Sequence, residues 1–174
     1  AACQDDFETF DVMRKSQFLI WDLPLLESYW QDLQEGKAQG RNLVMEKYAY
    51  MMESTAPKEY EAIATGLPKI SEEKQAMVEQ IVAIQVGWRE EFAEKYPHLS
   101  GQARIIHTSE DTLYDISFET YLRGELKTYS MQTLVLYGRR IVAFVQEQKN
   151  MTEEIMRYTT AFYGYKTLED AEIK

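Results

Sequence analysis

Apolar residues recur along this chain at the three- and four-residue steps of an α-helix, and hardly anywhere at the alternating step of a strand. Phe7, Phe10, Arg14, Gln17 and Trp21 predict a first helix over about 6–21, with two polar members in its stripe. Asp22 as N-cap and Pro24 in the first turn restart a helix that carries Leu26, Tyr29, Trp30 and Leu33 on one face. The glycines at 36 and 40 make 35–40 a loop. The next helix begins near Arg41, turns Val44, Tyr48, Met51 and Met52 inward and stops around Ser54. A short helix follows at Thr55 and Pro57, ended by Gly66 and Pro68.

The clearest helix is the one capped by Ser71. Met77, Ile81, Ile84, Trp88 and Phe92 form its stripe, and Pro97 ends it. Arg104-Ile105-Ile106 is the one extended piece, too short to build a sheet. From Ser109 as cap, a helical pattern runs over about 112–148 through Leu122, Leu126, Tyr129, Thr133, Leu136 and Phe144. Unbroken it would be roughly 55 Å long, against about 40 Å for a compact domain of this length, so it should kink, with Gly138 the candidate, or protrude. Thr152 caps a helix holding Ile155, Met156 and Tyr158, and Thr167 caps a last turn. The expectation is an all-α fold: a compact bundle of about six to eight helices with one long helix and no significant sheet.

Composition narrows the function classes. A length of 174 residues, 45% hydrophobic and 28% charged, suits a single α-helical domain over 1–174. The net charge of −10 argues against nucleic acid as a partner, since readers of phosphate backbones cluster Lys and Arg. No apolar run approaches a membrane span, and Asp5, Asp6 and Glu8 stand where a signal peptide would be positive, which points away from a membrane and to the cytoplasm. The lone Cys3 excludes an internal disulfide framework. Cys3 with His98 or His107 is a thiol–base pairing on paper, but nothing local marks the thiol as activated. Lys95 and Arg104 precede the two histidines by three residues, so the Glu-x-x-His pairs of a di-metal bundle are lacking and no metal site is expected. The residues name neither a cofactor nor a reaction.

Polar side chains on stripes that helical periodicity assigns to the core carry more information, because burial without a partner is costly. Arg14 and Gln17 interrupt the first helix, and Arg41, Asn42 and Lys47 crowd toward Tyr48. Tyr121, Glu125, Thr128 and Gln132, spaced four, three and four, run along the edge of an apolar face. In one reading Arg14, Arg41 and Lys47 hold a small anionic or zwitterionic ligand in an inter-helix polar pocket, oriented by Glu125 and the tyrosines. In the other, Arg14 pairs with Glu125 in a structural network, and the chain is a non-enzymatic module that meets a protein partner or a second copy of itself.

Several strings are distinctive together: Cys3-Gln4-Asp5-Asp6, Met13-Arg14-Lys15-Ser16-Gln17, Gly40-Arg41-Asn42-Leu43, Glu46-Lys47-Tyr48-Ala49, Tyr121-Leu122-Arg123-Gly124-Glu125-Leu126 and Tyr163-Gly164-Tyr165. They resemble the uncharacterised bacterial family called domain of unknown function 4125, over essentially the whole chain. The resemblance implies a bacterial cytoplasmic protein without an established activity. It also implies a longer N-terminus, with a Gly-Gly-Arg type segment before the Cys-Gln motif, so that part of the domain would precede Ala1.

Overall fold

The computed structural model describes residues 6–173, and Cys3 lies outside that range. Within it the chain forms ten α-helices and no strand: α1 Phe7–Leu19, α2 Leu23–Ala38, α3 Leu43–Thr55, α4 Pro57–Ile63, α5 Glu72–Lys95, α6 Pro97–Gly101, α7 Phe118–Thr128, α8 Met131–Gln146, α9 Met151–Phe162 and α10 Leu168–Glu172. The all-α expectation holds. Local chemistry sets most boundaries. Asp6, Asp22, Ser71 and Thr167 each accept the backbone N–H three residues on, satisfying a donor that the first helical turn leaves orphaned.

Four expectations need correction. The segment 112–148 is not one long helix; the longest helix is α5, and the break falls at Tyr129–Ser130 rather than Gly138. Ser130 caps α8 by accepting from Thr133 N, while its own N–H donates to Asp32 Oδ2 of α2 at 2.9 Å, an acceptor that only the packed fold supplies. Residues 112–116 are also outside any helix. Thr112 Oγ1 accepts from the Tyr114 and Asp115 amides, and Ser117, not Ser109, caps α7. The loop expected at 35–40 is helix to Ala38, because Gly36 gives Leu43 of α3 room: a Cβ there would lie 3.3 Å from Leu43 Cγ. The turn comes at Gly40, whose φ of +68° is glycine territory. Finally, Asn150 rather than Thr152 caps α9.

The helix α5 packs against α6, α7, α8 and α9, while α3 lies on α7, α1 on α9 and α2 on α8. Leu25, Val78, Leu126, Leu134 and Met151 are fully buried in the main core, and each large apolar side chain so placed stabilises the fold by about 1.5–3 kcal/mol. Beside them stands an aromatic layer. Trp21 meets Tyr29 and Tyr137 edge-on at 5.5 and 5.6 Å, and Tyr29 meets Tyr129 at 5.2 Å, tying α1 and α2 to the α7–α8 junction. Some apolar positions face outward instead: Phe7 is 81% exposed, and Ile84 belongs to the edge of α5 rather than its core.

Candidate functional site

Glu125 of α7 is the centre of the polar residues that interrupt the apolar stripes. It is 5% exposed. Its Oε1 accepts from Arg14 Nη1 of α1 at 2.7 Å and from the Tyr129 hydroxyl at 3.1 Å, and its Oε2 accepts from Lys47 Nζ of α3 at 3.1 Å. Arg14 also donates to Gln17 Oε1 at 3.0 Å and to the Tyr29 hydroxyl at 3.2 Å. The ammonium of Lys47 lies 3.5 Å from the centroid of the Tyr121 ring, and the guanidinium of Arg104 lies 4.6 Å from it. Tyr48 meets Tyr121 edge-on at 6.5 Å.

Gly124 makes this convergence possible. A Cβ at that position would stand 2.7 Å from Met51 Cγ and 3.0 Å from the Lys47 carbonyl oxygen. Its absence lets α3 close on α7 and deliver Lys47 to Glu125.

The electrostatics follow from burial and pairing. Burial works to raise the pKa of Glu125, but the charges of Arg14 and Lys47 outweigh it and hold the carboxyl below its ordinary value. For Arg14, too, burial opposes the charge, yet Glu125, with Tyr29 and Tyr129, holds its pKa above the usual value. Lys47 goes the other way: burial lowers its pKa despite Glu125. Three of about four acceptor positions on the carboxylate are occupied. Chemically the centre is an ionised, locked anchor with more positive than negative charge around it.

Six of the residues singled out in the sequence therefore meet here: Arg14, Gln17, Lys47, Tyr48, Tyr121 and Glu125. Two are placed elsewhere. Arg41 forms a two-bond fork with Glu46, both bonds 2.8 Å, and its side chain is 37% exposed. Asn42 is the N-cap of α3, accepting from Met45 N.

On the adjoining flank of α7 a cleft of about 260 Å³ opens between α3, α5 and α7. Its walls carry Lys127 and Arg123, the carboxylates of Glu53 and Glu79, and the hydroxyls of Ser54 and Thr120. Arg123 grips Glu79 with bonds of 2.8 and 3.1 Å and reaches Glu119 at 2.8 Å. Lys127 Nζ bonds Glu53 Oε2 at 2.9 Å. Asp111 accepts from Ser54 Oγ at 2.9 Å, from Ser117 N at 2.7 Å and from Thr120 Oγ1. Those bonds to Thr120 and Ser117 outweigh partial burial and keep its carboxyl below the usual range.

None of the cleft residues was a candidate site residue in the sequence, although Arg123 and Gly124 lie within one of the distinctive strings. The available signal was the spacing of Thr120, Arg123, Gly124 and Lys127, a second helical stripe beside the one through Tyr121 and Glu125. Of the histidines, His107 borders the cleft's charge pairs, with Nδ1 4.0 Å from Glu119 Oε2 and Nε2 3.0 Å from Glu90 Oε1, while His98 bonds Gln102 at 2.9 Å. Among the described residues no group of three or more His, Cys, Asp or Glu is arranged to hold a metal ion. No helix of the described residues is long and apolar enough to cross a membrane.

The family described as protein of unknown function (DUF4125) matches the chain over residues 1–173. No curated protein and no solved structure matches it.

Proposed function

We propose, for a chain that belongs to the DUF4125 family, that it binds a small zwitterionic or anionic molecule in the cleft between α3, α5 and α7. The observation that carries this reading is the asymmetry of one ion pair. Lys127 is buried, with its side chain 6% exposed, while its partner Glu53 is 56% exposed. A buried ammonium needs a counter-charge, but Glu53 is a rim side chain that can swing into solvent. A ligand carboxylate can take its place on Lys127. The released Glu53 is then available to a ligand ammonium. The volume is near the lower end of small-molecule sites, the scale of an amino acid rather than a nucleotide. Arg14, Gln17, Lys47, Tyr48, Tyr121 and Glu125 serve this site as scaffold, holding α1 and α3 against the helix that carries Lys127.

The test is a thermal-shift and calorimetric titration with amino acids, short dicarboxylates and sugar phosphates. A ligand at about 100 times its dissociation constant adds roughly 2.7 kcal/mol of stability. The expected result is a stabilising ligand whose effect disappears in Lys127→Met and persists in Arg41→Ala, which loses only a surface fork. Stabilisation that survives Lys127→Met would overturn the assignment of the cleft.

A second reading, self-association, is favoured by one feature. The groove between α5 and α8 exposes Ile84, Val135 and Val142, and its lining contains Arg139 but no carboxylate. In a chain of net charge −10, two copies repel least where acidic residues are missing. Sedimentation of the wild type against Val142→Glu separates this reading: a dimer that the substitution dissolves supports it, and a concentration-independent monomer removes it.

A further inference from the structure

The stripe of α5 that faces the core reads Val78, Val82, Gln85, Arg89 and Phe92, all buried. Gln85 has its partner, donating to the Tyr137 hydroxyl at 2.6 Å. Arg89 has none. It is 8% exposed, its Nε is fully buried without an acceptor, and no hydrogen bond or ion pair reaches it among the described residues. Its one polar contact is the face of Phe118 at the start of α7, with the guanidinium carbon 5.6 Å from the ring centroid.

The contrast with the other arginines, apart from the solvent-exposed Arg139, is sharp. Arg14, Arg41, Arg123 and Arg157 each hold a carboxylate, and Arg104 and Arg140 each bond a backbone carbonyl. Carboxylates are not scarce, since the chain has 29 acidic residues against 19 Lys and Arg. A buried lysine left alone can shed its proton, but an arginine cannot at any ordinary pH. Burial alone pushes the pKa of Arg89 down, with no charge of either sign offsetting it. The guanidinium therefore stays a cation, with its Nε sealed in the core and no carboxylate bonded to it, which is a state that a bound anion reaching its terminal nitrogens relieves.

We infer that Arg89 is the anchor of a second anion-binding site, at the α5–α7 junction, receiving the carboxylate or phosphoryl end of a small molecule against the ring of Phe118. The planar guanidinium fork matches the paired oxygens of either group. Phe118 supplies an apolar wall for the uncharged remainder of the ligand. The site is separate from the cleft described above. Arg89 lies ten residues beyond Glu79 on α5, roughly 15 Å along the axis and about 80° around it.

The experiment compares melting temperatures of wild type, Arg89→Met and Arg89→Lys in sodium chloride, sodium acetate and sodium phosphate at matched ionic strength, each anion titrated to saturation. The expected wild-type result is a saturable rise over chloride with acetate, phosphate or both, which also tells the carboxylate source from the phosphate one. Arg89→Met, freed of the uncompensated charge, should melt above the wild type in chloride and show no saturable rise. Any general salting effect of phosphate would remain in that variant and so be subtracted. Arg89→Lys keeps the charge without the fork and should weaken the response tenfold or more, and it decides the matter if Arg89→Met does not fold. Lys127→Met should keep the response in full, separating this site from the cleft. Identical wild-type melting in all three salts, or a saturable response that persists in Arg89→Met, would overturn the inference.

Discussion

Replacing Glu125 by Gln is the most direct perturbation of the polar centre, because it removes the charge while nearly conserving shape. The carboxylate is 5% exposed and accepts from Arg14, Lys47 and Tyr129. An amide keeps one acceptor oxygen and turns an NH₂ toward one of the two cations, leaving both without a counter-charge. Breaking a buried pair from one side costs about 3–5 kcal/mol, a large part of the roughly 5–15 kcal/mol that holds a domain together. At about 2–4 °C per kcal/mol for a chain of this size, the melting temperature should fall by roughly 6–20 °C. Urea unfolding, with an unchanged slope, should report the same loss. Lys47→Met should cost far less, since it removes a cation that burial disfavours and leaves the Arg14–Glu125 bond intact. In the double variant part of the Glu125→Gln loss should return, as a coupling of about 0.5–3 kcal/mol. A Glu125→Gln protein within about 1 kcal/mol of wild type, a change typical of unexceptional substitutions, would refute the claim that this carboxylate balances two cations.

Two further outcomes follow from the same geometry. Gly124→Ala should lower stability by about 1–3 kcal/mol through overpacking, because its Cβ would meet the Lys47 carbonyl at 3.0 Å and Met51 at 2.7 Å; thermal unfolding with no loss would show that α3 can retreat freely. Acid titration of stability should depend on Glu125 as well. Its folded-state pKa is below the ordinary 4.5, so the unfolded chain takes up the proton first and stability declines as pH falls below that value. Glu125→Gln should flatten this decline in equilibrium unfolding between pH 5 and pH 2, and a wild-type curve unchanged by the substitution would contradict the assignment.

The two polar features of α7 divide the work between rigidity and access. Glu125 is closed by partners from α1 and α3 and by Tyr129, the residue that ends its own helix, and holds three helices in fixed relation. Lys127, half a turn further on, is equally buried but is answered by a carboxylate on the rim. In the proposed binding role this arrangement would fix the backbone of Lys127 through the neighbouring anchor while leaving its charge partner free to exchange.

Local physics, written in the sequence, determined the helices themselves. The three- and four-residue stripes and the capping side chains of Asp6, Asp22, Ser71 and Thr167 need only neighbours a turn away. The pairing of Arg14 with Glu125 was also legible in outline, because a charged residue on a core stripe must find a partner there, whereas Lys47 was expected beside Arg41 and Asn42, which lie elsewhere. What periodicity could not decide is which helix lies opposite which. The break at Tyr129–Ser130 depends on Asp32 reaching the Ser130 amide from α2, and helix through Gly36 depends on Leu43 packing where a side chain would be. The cleft beside Lys127 exists only because α3 and α5 flank α7. Arg89 likewise looks like an ordinary polar position on a strongly charged helix, and its isolation becomes visible only when the assembled core seals its Nε and brings no carboxylate to it. Side-chain contacts across more than a hundred residues of sequence, such as Arg14 with Glu125, are set by packing, and packing is a property of the assembled helices rather than of any one of them.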